Sequence, residues 1–297
     1  MASQIPLFYV SQFSSNIQLK LQQEGSRLRS CVTTGSHVGS QASPVDQFGA
    51  IVGNKVVGRY NPMTRTDAPT DRRWVFPQDY DLNQLMDTFD QLRLLIDPMS
   101  SMVTNAVQAL GRNMDDEILA GILGTNYTGN NGTTAVTFPS TQVVGVLQGA
   151  ASATNMTVAK LREGRRLLMA ANLNMDSEEI YCAMNATAID SLLAETQVIS
   201  SEFNSTRVLE HGKLVQFLGV KIVHTELLTT GTDDQSGTST ACPMWAKSGA
   251  YLGVWGDIMS KLSERPDLQG IPNQAYVKGT FGATRLEEKK VVKIWAR

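Results

Sequence analysis

Cysteine is nearly absent. Three residues (Cys31, Cys182, Cys242) in a chain of 297, odd in number and forming no C-x-x-C pair, exclude a disulfide scaffold and a zinc knuckle and point to a reducing compartment. Histidine is equally scarce, with His37, His211 and His224 alone. No G-x-S-x-G elbow accompanies them, so a Ser/His/Asp hydrolase lacks its nucleophile. H-E-x-x-H, G-x-G-x-x-G and EF-hand loops are missing, and Gly212-Lys213 lacks the upstream glycine of a phosphate loop because Arg207 stands there. No apolar run approaches the ~20 residues of a membrane-crossing helix. Net charge is also lacking: 26 basic against 28 acidic side chains leave −2, which excludes a general DNA coater. The apolar patch Ile5 to Val10 has no basic segment before it, so no signal peptide is expected. The N-x-T sequons at Asn126, Asn131, Asn155, Asn185 and Asn204 then read as by-products of a Thr- and Asn-rich composition.

What is present is apolar material for a core, 42% of residues, in a length suited to about two domains. Residues 1–48 are Ser-, Gln- and Gly-rich, with scattered apolars such as Phe8, Ile17 and Leu28. They read as an arm that orders only on something else. Residues 49–80 carry two extended runs, Ile51 to Val57 and Arg72 to Phe76, around the turn signals Asn61-Pro62 and Ala68-Pro69. They predict a long β-hairpin. Two arms of ~16 residues reach ~50 Å, and an isolated ribbon of that kind is marginal in water, so it needs a neighbour. Leu82, Leu85, Met86, Phe89 and Leu92 have helical spacing and predict a short helix over 82–95.

The strongest signal follows. Asp97 and Pro98 supply an N-cap and a first helical residue, and apolar residues recur from Met99 through Ala106, Leu110, Met114, Ile118 and Ile122 to the stop at Gly124. This predicts a helix over 98–123, long for a globular protein. Beyond it the sequence predicts a strand at 143–147, a helix at 157–173, a strand at 179–184, a helix at 186–195, an extended run at 214–223 broken at Gly219, a loop at 229–240, a run at 245–254 and two terminal strands within 275–295.

Chemistry-bearing clusters are few. Asp115, Asp116 and Glu117 are consecutive on a helix, point in different directions and read as a solvated face rather than a metal site. Lys160, Arg162, Arg165 and Arg166 read as an ordinary surface helix. No convergent polar site emerges.

In this order the pieces resemble the Hong Kong 97-type major capsid proteins of tailed bacteriophages over essentially the whole chain. Asp97-Pro98, the amphipathic helix and its exit Ile122-Leu123-Gly124-Thr125 are similar to that family's spine helix. Ile180-Tyr181-Cys182-Ala183-Met184-Asn185 resembles the strand opening its axial domain, and Phe217-Leu218-Gly219-Val220-Lys221-Ile222-Val223 an apolar-Gly-apolar strand there. Gly282-Ala283-Thr284-Arg285-Leu286 followed by Val291-Val292-Lys293-Ile294 resembles the last peripheral strand passing into the final axial one.

The resemblance implies an α+β fold in these parts: N-terminal arm 1–48, extended hairpin 49–80, peripheral domain 81–173 with its spine helix, axial domain 174–257, a peripheral return strand 258–286 and a final axial strand 287–297. It implies no enzyme activity, catalytic residue, metal or cofactor. The expected role is a shell subunit forming hexamers and pentamers around double-stranded DNA, without sequence specificity or a membrane, in a virion assembled in the bacterial cytoplasm. Expected partners are a separate scaffolding protein, or none, since only about 48 residues precede the hairpin, together with a portal; a decoration protein is an optional further partner. An encapsulin-like nanocompartment shell is the alternative; a soluble enzyme with a lid hairpin is disfavoured for want of a site.

The hairpin carries more arginine than its acids balance. Arg59, Tyr60, Arg65, Arg72, Arg73 and Trp74 are therefore expected to contact Asp115, Asp116 and Glu117 on a neighbour's spine helix. Some relatives weld a hairpin lysine to an asparagine. Lys55, the only lysine between Lys20 and Lys160, and Asn273 are the positions to consider. Lys55 lies near the hairpin base and reads as a solvated strand lysine, so a non-covalent shell is expected.

Overall fold

Residues Ala106, Leu110, Met114, Ile118, Leu119 and Ile122 lie on one face of helix α1, Met99–Leu123, and are all buried in the computed structural model. The structure describes residues 22–39, 42–55, 58–59, 63, 65–86, 99–195, 198 and 215–297. Gly124 ends α1: its N–H donates to the Ala120 carbonyl at 2.8 Å, and a Cβ at this position would stand 2.5 Å from that oxygen. Arg285, fully buried, donates through Nη1 to the carbonyls of Ile122 at 2.7 Å and Gly124 at 3.2 Å. A cation thus meets the helix end where unpaired carbonyls gather negative partial charge.

The strands follow in chain order: β1 Thr33–Ser36, β2 Ser43–Phe48, β3 Thr70–Val75 and β4 Gln78–Met86 before α1; then β5 Asn126–Thr128, β6 Thr134–Val136 and β7 Val143–Val144. Helix α2, Val158–Ala170, leads to β8 Ile180–Met184, and helix α3, Ala186–Leu193, to β9 Gln216–Phe217 and β10 Val220–His224. The last five are β11 Thr230–Thr232, β12 Thr238–Ala246, β13 Ala250–Glu264, β14 Asn273–Arg285 and β15 Val291–Ala296.

They form three sheets. The first runs β1-β13-β14-β4 and carries α1 on one face. Alternate β14 residues Ala275, Val277 and Phe281 turn to that face and are buried; Phe281 stacks on Tyr80 at 5.1 Å between centroids. The second runs β7-β15-β12-β8-β10-β9, with β11 on β12. Every residue of its central β8 is buried. Ile180, Cys182 and Met184 face a core with Leu161 and Leu168 of α2 and Ala188 and Leu192 of α3, while Tyr181 and Ala183 face a second core holding Met114, Ile118 and Ile122 of α1. A continuous apolar run is what a strand covered on both faces requires. Thr157 and Asn185 cap α2 and α3 by accepting the N–H of Lys160 and Ala188. The break at Gly219 is a two-residue hairpin turn with Leu218 and Gly219 both at positive φ, 52° and 77°. The third sheet, β2-β3-β5-β6, is the root of the hairpin.

Several expectations need correction. Residues 82–86 continue strand β4 instead of starting a helix, because β14 offers a full-length antiparallel partner from Phe281 to Asn273. The hairpin pairs earlier than 49–80: Ser43–Phe48 meets Thr70–Val75, and residues 78–86 belong to another sheet. The N-terminal stretch is not free over all of 1–48, since β1 pairs in parallel with β13. The strand expected at 143–147 shrinks to Val143–Val144. The run at 245–254 is two strands split by a turn at Lys247–Gly249, and the division expected at 257 falls inside β13. Lys160 is not a surface residue: it is buried, donating to the carbonyls of Thr154 at 2.6 Å and Trp295 at 2.8 Å. Residues 1–21, the Asp97-Pro98 cap, Val56, Val57, Asn61-Pro62 and His211 lie outside the described residues.

Candidate assembly surface

Strands β2 and β3 pair over six residues, with Asp46 directly opposite Arg72 and an Arg72 Nε to Asp46 Oδ1 contact of 2.5 Å. The ladder closes with the Gly49 N–H on the Pro69 carbonyl at 2.7 Å. Beyond it the two limbs stay together without strand pairing among the described residues, held by Asn54 Nδ2 donating to Thr66 Oγ1 at 2.9 Å. Phe48, Ile51, Val52 and Met63 are exposed by 81, 62, 81 and 99% of their surface. So many large apolar side chains on one projection mark a surface meant to be covered.

The expected contact residues divide. Arg59 is exposed, and Arg65 is exposed beside Asp67 at 2.8 Å. Tyr60 lies outside the described residues. Arg72 is taken up by Asp46. Arg73 is buried and reaches Glu288 at 2.9 Å and Asp71 at 3.5 Å. Trp74 donates Nε1–H to the Gly129 carbonyl at 2.6 Å. Arg72, Arg73 and Trp74 thus each have a partner within their own chain at the hairpin root.

The acids of α1 are not one solvated face. Asp115 is fully buried and accepts from Gln23 Nε2, Ser26 Oγ and the backbone N–H groups of Arg27 and Leu28. Asp116 is exposed, yet partial burial and then the neighbouring Asp115 and Glu117 charges raise its pKa. Glu117 accepts the Tyr80 hydroxyl at 2.5 Å; burial, then this bond, pushes the phenol above its usual range. None of the three meets a hairpin arginine of the same chain.

Sequence reasoning missed the anchors. Asp115 holds residues 23–28, Glu288 holds Arg73, and Asp257 takes Arg29 in a two-pronged pair at 2.9 and 2.8 Å. Each joins positions more than 80 residues apart. The one available signal was Asp46 opposite a run of arginines.

A family model described as phage capsid protein matches residues 5–296. No curated protein sequence matches the chain. Among solved structures, the capsid of Cyanophage P-SCSP1u is similar at a TM-score of 0.75 and 14% identity, covering 97% of this chain and 93% of that one. The capsid of Ralstonia phage GP4 gives 0.75 and 11%, covering 100% and 98%. The head of Helicobacter pylori bacteriophage KHP40 gives 0.72 and 10%, covering 96% and 95%.

Proposed function

The chain belongs to the phage capsid protein family, and from that premise we propose that it is the major subunit of a tailed-phage head, working through the surface its hairpin leaves open. The observation that carries this reading is the apolar, basic projection formed by Phe48, Ile51, Val52, Met63, Arg59 and Arg65. A lone protein gains nothing by exposing it; a shell subunit covers it with the next copy, in contacts that run to ~2,000 Å² or more when obligate. Arg59, and Arg65 beside its own Asp67, are the hairpin arginines exposed to meet an acidic partner. Asp116 is the α1 carboxylate that remains exposed.

In this reading the subunits form hexamers and pentamers around double-stranded DNA held without sequence specificity. Assembly in the host cytoplasm uses a separate scaffolding protein and a portal, with a decoration protein as an added partner. The work is mechanical, done by interfaces and not by a reaction centre.

Electron microscopy of the expressed chain is the test. Closed icosahedral particles, filled with DNA when made during infection, are the expected result. A monodisperse monomer under all assembly conditions would overturn the reading, and particles holding an enzyme in place of DNA would favour a nanocompartment.

A further inference from the structure

Two guanidinium groups are buried at the seam between the hairpin root and the body. The Arg73 side chain, on β3, is 7% exposed, and that of Arg285, at the end of β14, is 0% exposed. Glu288, in the single turn before β15, stands between them. Its Oε2 accepts Arg73 Nη2 at 2.9 Å, and its Oε1 lies 4.0 Å from Arg285 Nε. Arg285 in turn holds the last carbonyls of α1. A chain of charge contacts thus runs from the end of the spine helix through Arg285, Glu288 and Arg73 into the hairpin, hydrogen-bonded at its two ends and ionic at 4.0 Å between Arg285 and Glu288.

Stability alone does not call for this arrangement. Nε and Nη1 of Arg73, Nε of Arg285 and Oε1 of Glu288 are buried without a hydrogen-bond partner among the described residues. Two cations share one carboxylate, with Asp71 half-exposed at 3.5 Å from Arg73. Apolar side chains of the same volume hold a seam as well or better than an under-satisfied charge network. What the network supplies is direction: the Arg73–Glu288 hydrogen bond, with Arg285 facing the same carboxylate, ties the root to the turn before β15 in a way that undirected apolar packing does not. Beside it lies a cleft of about 570 Å³, bounded by Gly49 and Pro69 of the root and by Asn172, Asn174 and Lys290 of the body. The root has room to turn on that side.

We propose that Glu288 is a positioning residue for assembly, holding the hairpin through Arg73 at an angle referenced to the end of the spine helix through Arg285. Its use in a shell rests on the function proposed above; its effect on the hairpin does not.

Spin labels at Ile51→Cys on the hairpin and Arg162→Cys on α2 report the angle in dilute subunits, the three native cysteines all being buried. Wild type is expected to give one narrow distance distribution. Glu288→Gln should broaden and shift it while the subunit still melts cooperatively, Glu288→Asp should restore the narrow peak, and particles assembled from Glu288→Gln should vary in diameter. Should Glu288→Gln fail to fold, Arg73→Gln decides, because it leaves Glu288 facing Arg285 and removes only the hairpin's tie to that carboxylate, the β3–β5 pairing staying in place. A wild-type distribution in the folded variant would overturn the proposal. Wild-type subunits that never form closed particles would instead remove the shell reading and leave the distance measurement to decide the angle.

Discussion

The carboxylate of Asp115, buried in the middle of α1, accepts the backbone N–H of Leu28 at 3.1 Å. The neighbouring N–H of Arg27 bonds the same carboxylate at 2.9 Å, and Arg112 donates to the Gln23 carbonyl at 3.2 Å. Residues 23–28 are thereby fastened to the spine helix of their own chain.

Replacing that acid should loosen the segment. Asp115→Ala leaves buried N–H groups without an acceptor, which costs about 1–3 kcal/mol for each group that water cannot reach. The expected outcome is a lower melting temperature and faster proteolysis between residues 22 and 36, read by mass spectrometry of the fragments. Unchanged cleavage would show that β1 pairing alone holds the segment.

Cavities in the α1 stripe should cost folding before assembly. Leu110→Ala and Ile118→Ala each remove a fully buried side chain, at about 2–5 kcal/mol. Calorimetry should show subunits that melt early or fail to fold. Variants that melt like wild type but do not assemble would mark the helix as an interface element.

The hairpin should behave in the opposite way. Val52→Asp changes a residue 81% exposed, and such surface changes stay within about 0.5 kcal/mol. Melting is expected to stay as in wild type while light scattering shows no particles. Normal shells from Val52→Asp would remove this residue from the contact.

Lys160 gives a pH dependence with a defined sign. Burial lowers its pKa from the usual 10.5 to about 8. Between those values the unfolded chain binds more protons than the folded one, so this residue's contribution to stability rises as pH rises from about 8 towards 10.5, and is lowest where both states are protonated. Melting of wild type minus that of Lys160→Met should grow over this window; a constant difference would contradict it.

Boiling the shell in denaturant should release one 32.4 kDa band. Lys55 is exposed on the limb beyond the hairpin root, next to Asn54. A ladder of multiples that disappears in Lys55→Ala would establish a covalent weld.

The spine helix was legible because its signal is local: a buried residue every three or four positions needs no knowledge of the partner. The opposite holds for residues 82–86. Leu82, Leu85 and Met86 have helical spacing, but Leu85 is 47% exposed on the far face of β4. The strand exists because a distant β14 pairs with it, and no window of sequence contains that partner. The hairpin root was misplaced for a similar reason, since Ser43–Phe48 is short, contains Pro44 and becomes a strand only against Thr70–Val75. Long-range pairing also hid the anchors. Arg73 looked like a free surface charge because Glu288 lies 215 residues away.

The position of β15 in the second sheet, between β7 and β12, sets an order in time. Its partners are made long before it, so a chain still being translated carries an open seam in that sheet until Val291–Ala296 has left the ribosome. Lys160 likewise waits for the Trp295 carbonyl. A contact map this rich in distant partners folds slowly and late. Any fragment that lacks Val291–Ala296 therefore leaves the seam between β7 and β12 open and cannot carry the finished second sheet.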